Sequence, residues 1–312
     1  MKNQFKPLVL AAALAAAPFA MAETVKFDLT VKEVDIAIDN AGTTQRMWTY
    51  EGLLPGPVMR VKEGDMVEIT LHNHADNGNS HSIDLHAAMV DVLDEFDEVK
   101  PGDTKKFTFS ANYPGVFVYH CGADSMAEHI GRGMYGVIIV DPKEGYSENY
   151  PKPDREYILV QSDLYEDGTS AEDMKMGNGW KASLVNGKIF HYSPVHDPNA
   201  SLALEAKPGE RVRIFYANMM VNEAAAMHPI AGIWDRVWDN GNPKNLNHGI
   251  QTVEVAPAHG MVMDIVPPAD RATNNAIVDH RMKHALNGAI SVLMTHDDAD
   301  PARGRGDQLI LR

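Results

Sequence analysis

Cysteine occurs once in the 312 residues, so no disulfide can form within the chain and Cys121 must have another use. Basic side chains are also scarce: 28 Lys and Arg stand against 43 Asp and Glu, a net charge of −15. That balance argues against nucleic acid or an anionic membrane surface as partner and leaves a basic protein possible. Beyond the N-terminal stretch, no apolar run approaches the ~20 residues needed to cross a bilayer. The exception reads as a leader. Lys2 and Lys6 precede an apolar run, and Ala20-Met21-Ala22 offers a small-x-small cleavage site. This pattern predicts a secretory signal peptide over 1–22 and a mature, exported protein in the periplasm, starting near Glu23.

What remains is long enough for two domains. Short β-branched and aromatic runs, among them MVEITLHN, KKFTFSA, GVFVYH, GVIIVDP, EYILVQSDLY and RVRIFYAN, are broken by Gly, Pro, Asn and Asp. Strands at this spacing with few helical patterns predict an all-β protein of sandwiches or barrels. A polar stretch around 170–176 predicts at most a short helix. An internal repeat is visible: VKEGDMVEITLHN at 61–73 aligns with AKPGERVRIFYAN at 206–218, and GVFVYHCG aligns with NAIVDHRM. Two copies of one β-domain follow, 23–145 and 146–312, divided in the polar, Pro-rich stretch 141–156.

Only the first copy carries a cysteine. Cys121, His129 and Met134 fit Cys-x7-His-x4-Met, and His81 lies on an earlier strand. A thiolate, two imidazoles and a weak thioether make the trigonal site of a type 1 copper electron carrier. Strand alternation sorts the neighbours. In HSIDLH, His81 and His86 are five apart and point to opposite faces, and Asp84 shares the face of His86. His120 and Cys121 are adjacent and diverge as well. One set is His81 with Cys121; the other is Asp84, His86 and His120, which lacks a third imidazole. The repeat offers His280, the counterpart of His120, with His228 falling near the His81 position and Arg281 replacing the cysteine. Three histidines around an open position suit a metal that binds a small ligand.

At this point the chain resembles the copper-containing nitrite reductases, a family of tandem cupredoxin-like Greek-key β-sandwiches. The matching text is LLPGPVMRVKEGDMVEITLHN, HSIDLHAA, PGVFVYHCGADSMAEHIGRGMYGVIIVDP, MHPIAGIWDRVW and VDHRMKHALNGAISVL. The resemblance runs from about 30 to 295 and covers both copies. It implies two coppers per chain: type 1 on His81, Cys121, His129 and Met134, and type 2 on His86, His120 and a neighbouring subunit's His280 in a homotrimer. It implies that Asp84 and His228 handle protons and that Ile230 crowds the substrate. The reaction implied is the dissimilatory one-electron reduction of nitrite to nitric oxide, fed by a small donor protein, a cytochrome c or a cupredoxin.

Two rival readings make different demands. A two-domain laccase-like multicopper oxidase needs repeated His-x-His pairs and a His-Cys-His triplet. Here Gly122 follows the cysteine, and His72 and His74 form the only His-x-His. A cupredoxin that only carries electrons or stores copper leaves Asp84, His228 and His280 without a role. His72, His74, His191, His196, His248, His259, His284 and His296 lack metal spacing and read as surface or packing residues. The polar segment from 297 onward reads as an extended tail, which in the resembled family can reach a neighbour. Finally, MVDVLDEFDEVKPGD replaces a glycine-rich stretch of that family and holds six acidic residues from Asp91 to Asp103. Asp91, Asp94 and Glu95 are expected to line the approach to type 2 copper and repel an anion.

Overall fold

The computed structural model describes residues 24–300 and 309–312, so the leader expected over 1–22 lies outside the described residues. The chain opens with β1 (Thr24–Ala37), β2 (Thr44–Tyr50), β3 (Val58–Lys62) and β4 (Met66–Asn73). Next come β5 (Asp84–Leu85), β6 (Thr104–Ser110), β7 (Gly115–His120), helix α1 (Met126–Gly131) and β8 (Tyr135–Asp141). Beyond the polar stretch 142–154 follow β9 (Arg155–Tyr165), α2 (Ala171–Lys175), β10 (Trp180–Val185), β11 (Leu204–Ala206) and β12 (Val212–Met219). Then come β13 (Ala225–Pro229), β14 (Trp234–Asp239), β15 (Leu246–Ile250), β16 (Val253–Val255) and β17 (His259–Ile265). The last elements are β18 (Asn274–Asp279), α3 (Met282–Ala285), β19 (Ile290–Thr295) and β20 (Ile310–Leu311).

These strands form two sandwiches of one design. In the first, sheet β2-β1-β4-β6 faces sheet β20-β3-β8-β7-β5. In the second, β10-β9-β12-β17-β14-β15 faces β11-β19-β18-β13-β16. The order β3-β8-β7-β5 recurs as β11-β19-β18-β13, with the same parallel and antiparallel pairings. The aligned asparagines show why the repeat is legible. Asn73 and Asn218 stand at or next to the ends of equivalent strands, both are buried, and each donates through Nδ2 to two backbone carbonyls. A buried amide with its donors satisfied fixes the loop that follows it.

Burial patterns distinguish the two copies. Along β4, Val67, Ile69 and Leu71 are buried while Glu68, Thr70 and His72 are half-exposed, the alternation of a sheet with one wet face. β12 is buried on both faces, because Phe215 and Ala217 pack against Val58, Val116 and Val137 of the first sandwich. This third core joins the sandwiches. One close point is Gly260, where a Cβ would stand 2.1 Å from the Val116 carbonyl oxygen, so only glycine permits the approach.

Two features differ from the sequence reading. HSIDLH is not a continuous strand: only Asp84 and Leu85 are extended, and His81 makes an isolated bridge to Val99. The few short helices are as expected, and two of them, α1 and α3, carry or adjoin site residues. The chain end joins the first sandwich through β20, where Ile310 pairs with Val58 of β3 in the same chain. The final residues thus belong to the first sandwich and not to the second.

A buried ion pair ties the connecting stretch to the second sandwich. Arg213 donates from Nε and Nη2 to Asp264 (2.8 and 3.0 Å) and from Nη2 to the Pro151 carbonyl (2.9 Å), between Tyr150 and Trp238. Both charged side chains are fully buried, and removing Arg213 leaves Asp264 only the longer contact to Arg211 (3.2 Å). Arg213→Leu is expected to destabilise the protein by about 3–5 kcal/mol, read as a lower urea midpoint. A shift within about 0.5 kcal/mol of the parent would show that Arg211 alone satisfies Asp264.

Candidate metal centre

Strand β7 ends at His120, and Cys121 follows it directly. Register sets the surroundings: Asp84 lies opposite His120 on β5, and His120 lies opposite Tyr135 on β8. Cys121 therefore stands beside Met134, and its N–H donates to the Met134 carbonyl (3.1 Å). The Met134 N–H donates to the His129 carbonyl (3.0 Å), so one backbone ladder ties three of the expected ligands together. Gly133 has φ +109°, and a Cβ there would lie 2.7 Å from Leu54 Cδ1. That is a position only glycine fills without strain.

The first cluster is buried. His81, Cys121, His129 and Met134 are all at most 5% exposed. His81 Nδ1 and His129 Nδ1 stand 3.2 Å apart, and Cys121 Sγ is 3.1 Å from His129 Nδ1. Glu33 accepts a hydrogen bond from His81 Nε2 (3.1 Å), so the Nδ1 lone pair faces inward. His129 is placed by α1, which sequence periodicity could not reveal. Trp48 makes edge-type contacts with both imidazoles, with ring centroids 5.4 Å from His81 and 4.7 Å from His129, and the Arg132 guanidinium lies over the Trp48 ring.

Electrostatics fit a cation here. Burial pushes the Cys121 thiol up to about 11, against hydrogen bonds from the backbone of Ser82 and Ala123. Burial, then repulsion from His81, depresses His129 to about 4. Burial also lowers His81, although Glu33 opposes the shift. The imidazoles are thus neutral and ready to donate lone pairs, and a thiolate becomes stable only beside a positive charge. Thiolate, imidazole and thioether together are a copper-type donor set.

The second cluster lies on the other side of the same peptide bond. His86 Nε2 and His120 Nε2 stand 3.1 Å apart, with Asp84 alongside. His120 Nδ1 donates to the Cys121 carbonyl (3.0 Å), and because a carbonyl only accepts, Nε2 keeps its lone pair. Burial lowers His86, His120 lowers it further, and Asp84 opposes both. Two lone pairs held this close repel unless a proton or a metal ion sits between them. Unlike the first cluster, this one reaches the surface: His86 is exposed.

His280 does not join this cluster within the one chain. It is exposed and pairs instead with His228, with ring centroids 5.5 Å apart. The His86–His120 rings are 5.1 Å apart. Strand register relates the two pairs and corrects the sequence alignment. Leu85 lies opposite Tyr119 in the first copy, as Met227 lies opposite Asp279 in the second. His228 is therefore the counterpart of His86 and not of His81. His228 Nδ1 donates to the Gln251 carbonyl (2.7 Å), which leaves the lone pair on Nε2. Ile230, 40% exposed, lies in the turn after β13, where Asn275 Nδ2 donates to its carbonyl (3.1 Å).

One further expectation needs correction. The acidic residues after His86 do not line the cleft of about 320 Å³ beside it, whose walls include Tyr113, Phe117, Asn240, Asn242 and Asn245. Asp94 instead pairs with Lys105, and Glu98 accepts from the Asp124 N–H (2.9 Å), so the segment follows the buried cluster's side. His284, expected to be a surface or packing residue, is the latter: it is fully buried and donates to Asp279 (2.6 Å). Glu33 was missed entirely, because 48 residues separate it from His81 and nothing local marks it.

Depressed histidines have a stability consequence. Between pH 6.5 and about 4 the unfolded chain holds a proton on His129 that the metal-free fold excludes. Stability is therefore full above pH 6.5 and falls as pH drops, by up to about 1.4 kcal/mol per pH unit for this one group. Urea midpoints of the metal-free protein should decline from pH 7 to 5, and His129→Gln should flatten that decline. Equal slopes for parent and variant would disprove the assignment.

Comparison with known proteins finds copper proteins. A family model described as multicopper oxidase matches residues 30–145. A copper-containing nitrite reductase of Neisseria meningitidis serogroup B is 32% identical over 291 residues, 89% of this chain and 69% of that protein. A solved copper nitrite reductase of Nitrosomonas europaea is 51% identical with a TM-score of 0.88, covering 93% of this chain and 100% of that one. A multicopper oxidase crystal structure, 22% identical with a TM-score of 0.75, covers 88% of this chain and 89% of its own and shares the fold.

Proposed function

The chain belongs to the copper-containing nitrite reductases, and from that premise we propose that it reduces nitrite to nitric oxide with two coppers per chain. His81, Cys121, His129 and Met134 hold type 1 copper; His86, His120 and His280 of the partner subunit hold type 2. Copper supplies the one-electron chemistry and withdraws charge from the bound anion. The observation that carries the reading is the pair of clusters divided by one peptide bond. His120 and Cys121 give a direct through-bond route between a dry, buried donor set and a solvent-reaching one.

Balance requires nitrite, one electron and two protons to give nitric oxide and water. Asp84, which clusters with His86 and His120, would hydrogen-bond a nitrite oxygen and pass it a proton. His228 delivers the second from Nε2. Ile230 offers an apolar wall against the bound anion. The pseudo-equivalence of the two histidine pairs supports assembly as a homotrimer, in which a first sandwich meets a neighbour's second and three chains close a ring. The leader pattern read over 1–22 supports a periplasmic setting, and with it a small donor protein, a cytochrome c or a cupredoxin. We place the domain boundary near 145/146, with β20 crossing back.

Anaerobic turnover with a reduced dye should yield nitric oxide, and metal analysis should find two coppers per chain. Four would favour a multicopper oxidase. Cys121→Ser should lose the visible thiolate absorption and dye-driven turnover while keeping copper at His86 and His120; full colour in that variant would refute the ligand set. His280→Ala should keep the coloured site and lose nitrite turnover. Trimers mixed from His280→Ala and His86→Ala chains should regain activity, and verified mixed trimers without any recovery would assign both ligands to one chain.

A further inference from the structure

Glu33 lies on β1, in the sheet that faces the one carrying Cys121, yet its carboxylate reaches the far nitrogen of a metal ligand. Oε1 accepts from His81 Nε2 (3.1 Å), from the backbone N–H of Gly78 (3.1 Å) and Asn79 (3.0 Å), and from Asn79 Nδ2 (3.0 Å). The Glu33 N–H donates to Asn77 Oδ1 (3.0 Å), so main chain and side chain together clasp the loop that presents His81. The Glu33 side chain is only 10% exposed and the His81 side chain not at all, so water screens this contact little.

We propose that Glu33 is a positioning and charge-tuning residue for His81. It turns Nδ1 toward Cys121 and His129, and its negative charge behind the ring favours the oxidised state of the metal held there. The inference rests on the type 1 reading of this cluster. A carboxylate accepting from Nε2–H shifts electron density onto the imidazole and makes Nδ1 a stronger donor. An additional negative charge near the site also stabilises the more positive of two metal charges. The four donors set how much of that charge His81 feels. Removing the charge tilts the one-electron equilibrium toward the reduced metal; removing a competing donor tilts it the other way.

The experiment uses the copper-loaded full-length protein and follows the visible thiolate band in a spectroelectrochemical titration. Glu33→Gln keeps an oxygen for the His81, Gly78 and Asn79 donors and loses only the charge. It should retain the band and shift the oxidised-to-reduced ratio by about tenfold or more toward reduced, equivalent to 59 mV for one electron. Asn79→Ala keeps the charge and frees Oε1 of one donor. It should move the ratio roughly twofold toward oxidised, and it tests the same mechanism if the first variant fails to fold. A purely structural role would move both variants in one direction. Glu33→Gln within twofold of the parent, or shifts of the same sign in both variants, would overturn the proposal. A copper-loaded parent without a thiolate band would instead remove the type 1 reading on which it rests.

Discussion

Everything at the centre of this molecule depends on the alternation of side chains about one peptide bond. In extended backbone, consecutive residues face opposite sides, so His120 and Cys121 cannot share a cavity. One side of that bond is sealed by Trp48, His81 and His129, and the other meets solvent at His86. Both environments are secured by the same ladder, because the Cys121 N–H is held by Met134 while its carbonyl holds the His120 ring. Moving the register of β7 by one residue would exchange the two sides and place a thiol in water and an imidazole in the core.

The sequence made the alternating strands and the ligand spacing readable, since both are local. β4, β6, β7, β8 and β9 appear as contiguous runs, and Cys-x7-His-x4-Met is itself a short-range pattern. The facial sorting of HSIDLH came out right for an incomplete reason. Only Asp84 and Leu85 are extended; His81 is buried by its bridge to Val99 and by Glu33, not by strand periodicity. Other features stayed hidden because they depend on distant partners. Helix α1 spans only Met126–Gly131, too short for a 3.6-residue period to register, and Ser125 before it has a left-handed φ of 63°. The course of the acidic segment is set by Lys105 and Asp124, contacts that no local pattern encodes.

The repeat shows where sequence alignment and strand register diverge. Spacing by text put His228 at the level of His81, whereas pairing with β18 puts it at the level of His86. The difference matters chemically, because it turns one unusual histidine into the twin of a candidate ligand. The second copy has kept the rim pair and lost the buried one: Arg281 stands where the cysteine would be, and Tyr119 is matched by Asp279. That carboxylate accepts from His284, Gln161 and the backbone, so a charged network occupies the space behind the pair.

The twin pairs divide labour between the halves of one chain. In the proposed assembly each reaction centre draws its electron wiring from a first sandwich and its His228 proton source from another subunit's second. Changes around Ile230 or His228 can then alter which small anion is accepted without touching the residues that set the driving force, and changes around Glu33 can do the reverse. Duplication of a single carrier fold thus yields two separately adjustable controls, held in register by the subunit interface. A lineage can retune substrate preference and redox poise on independent evolutionary schedules.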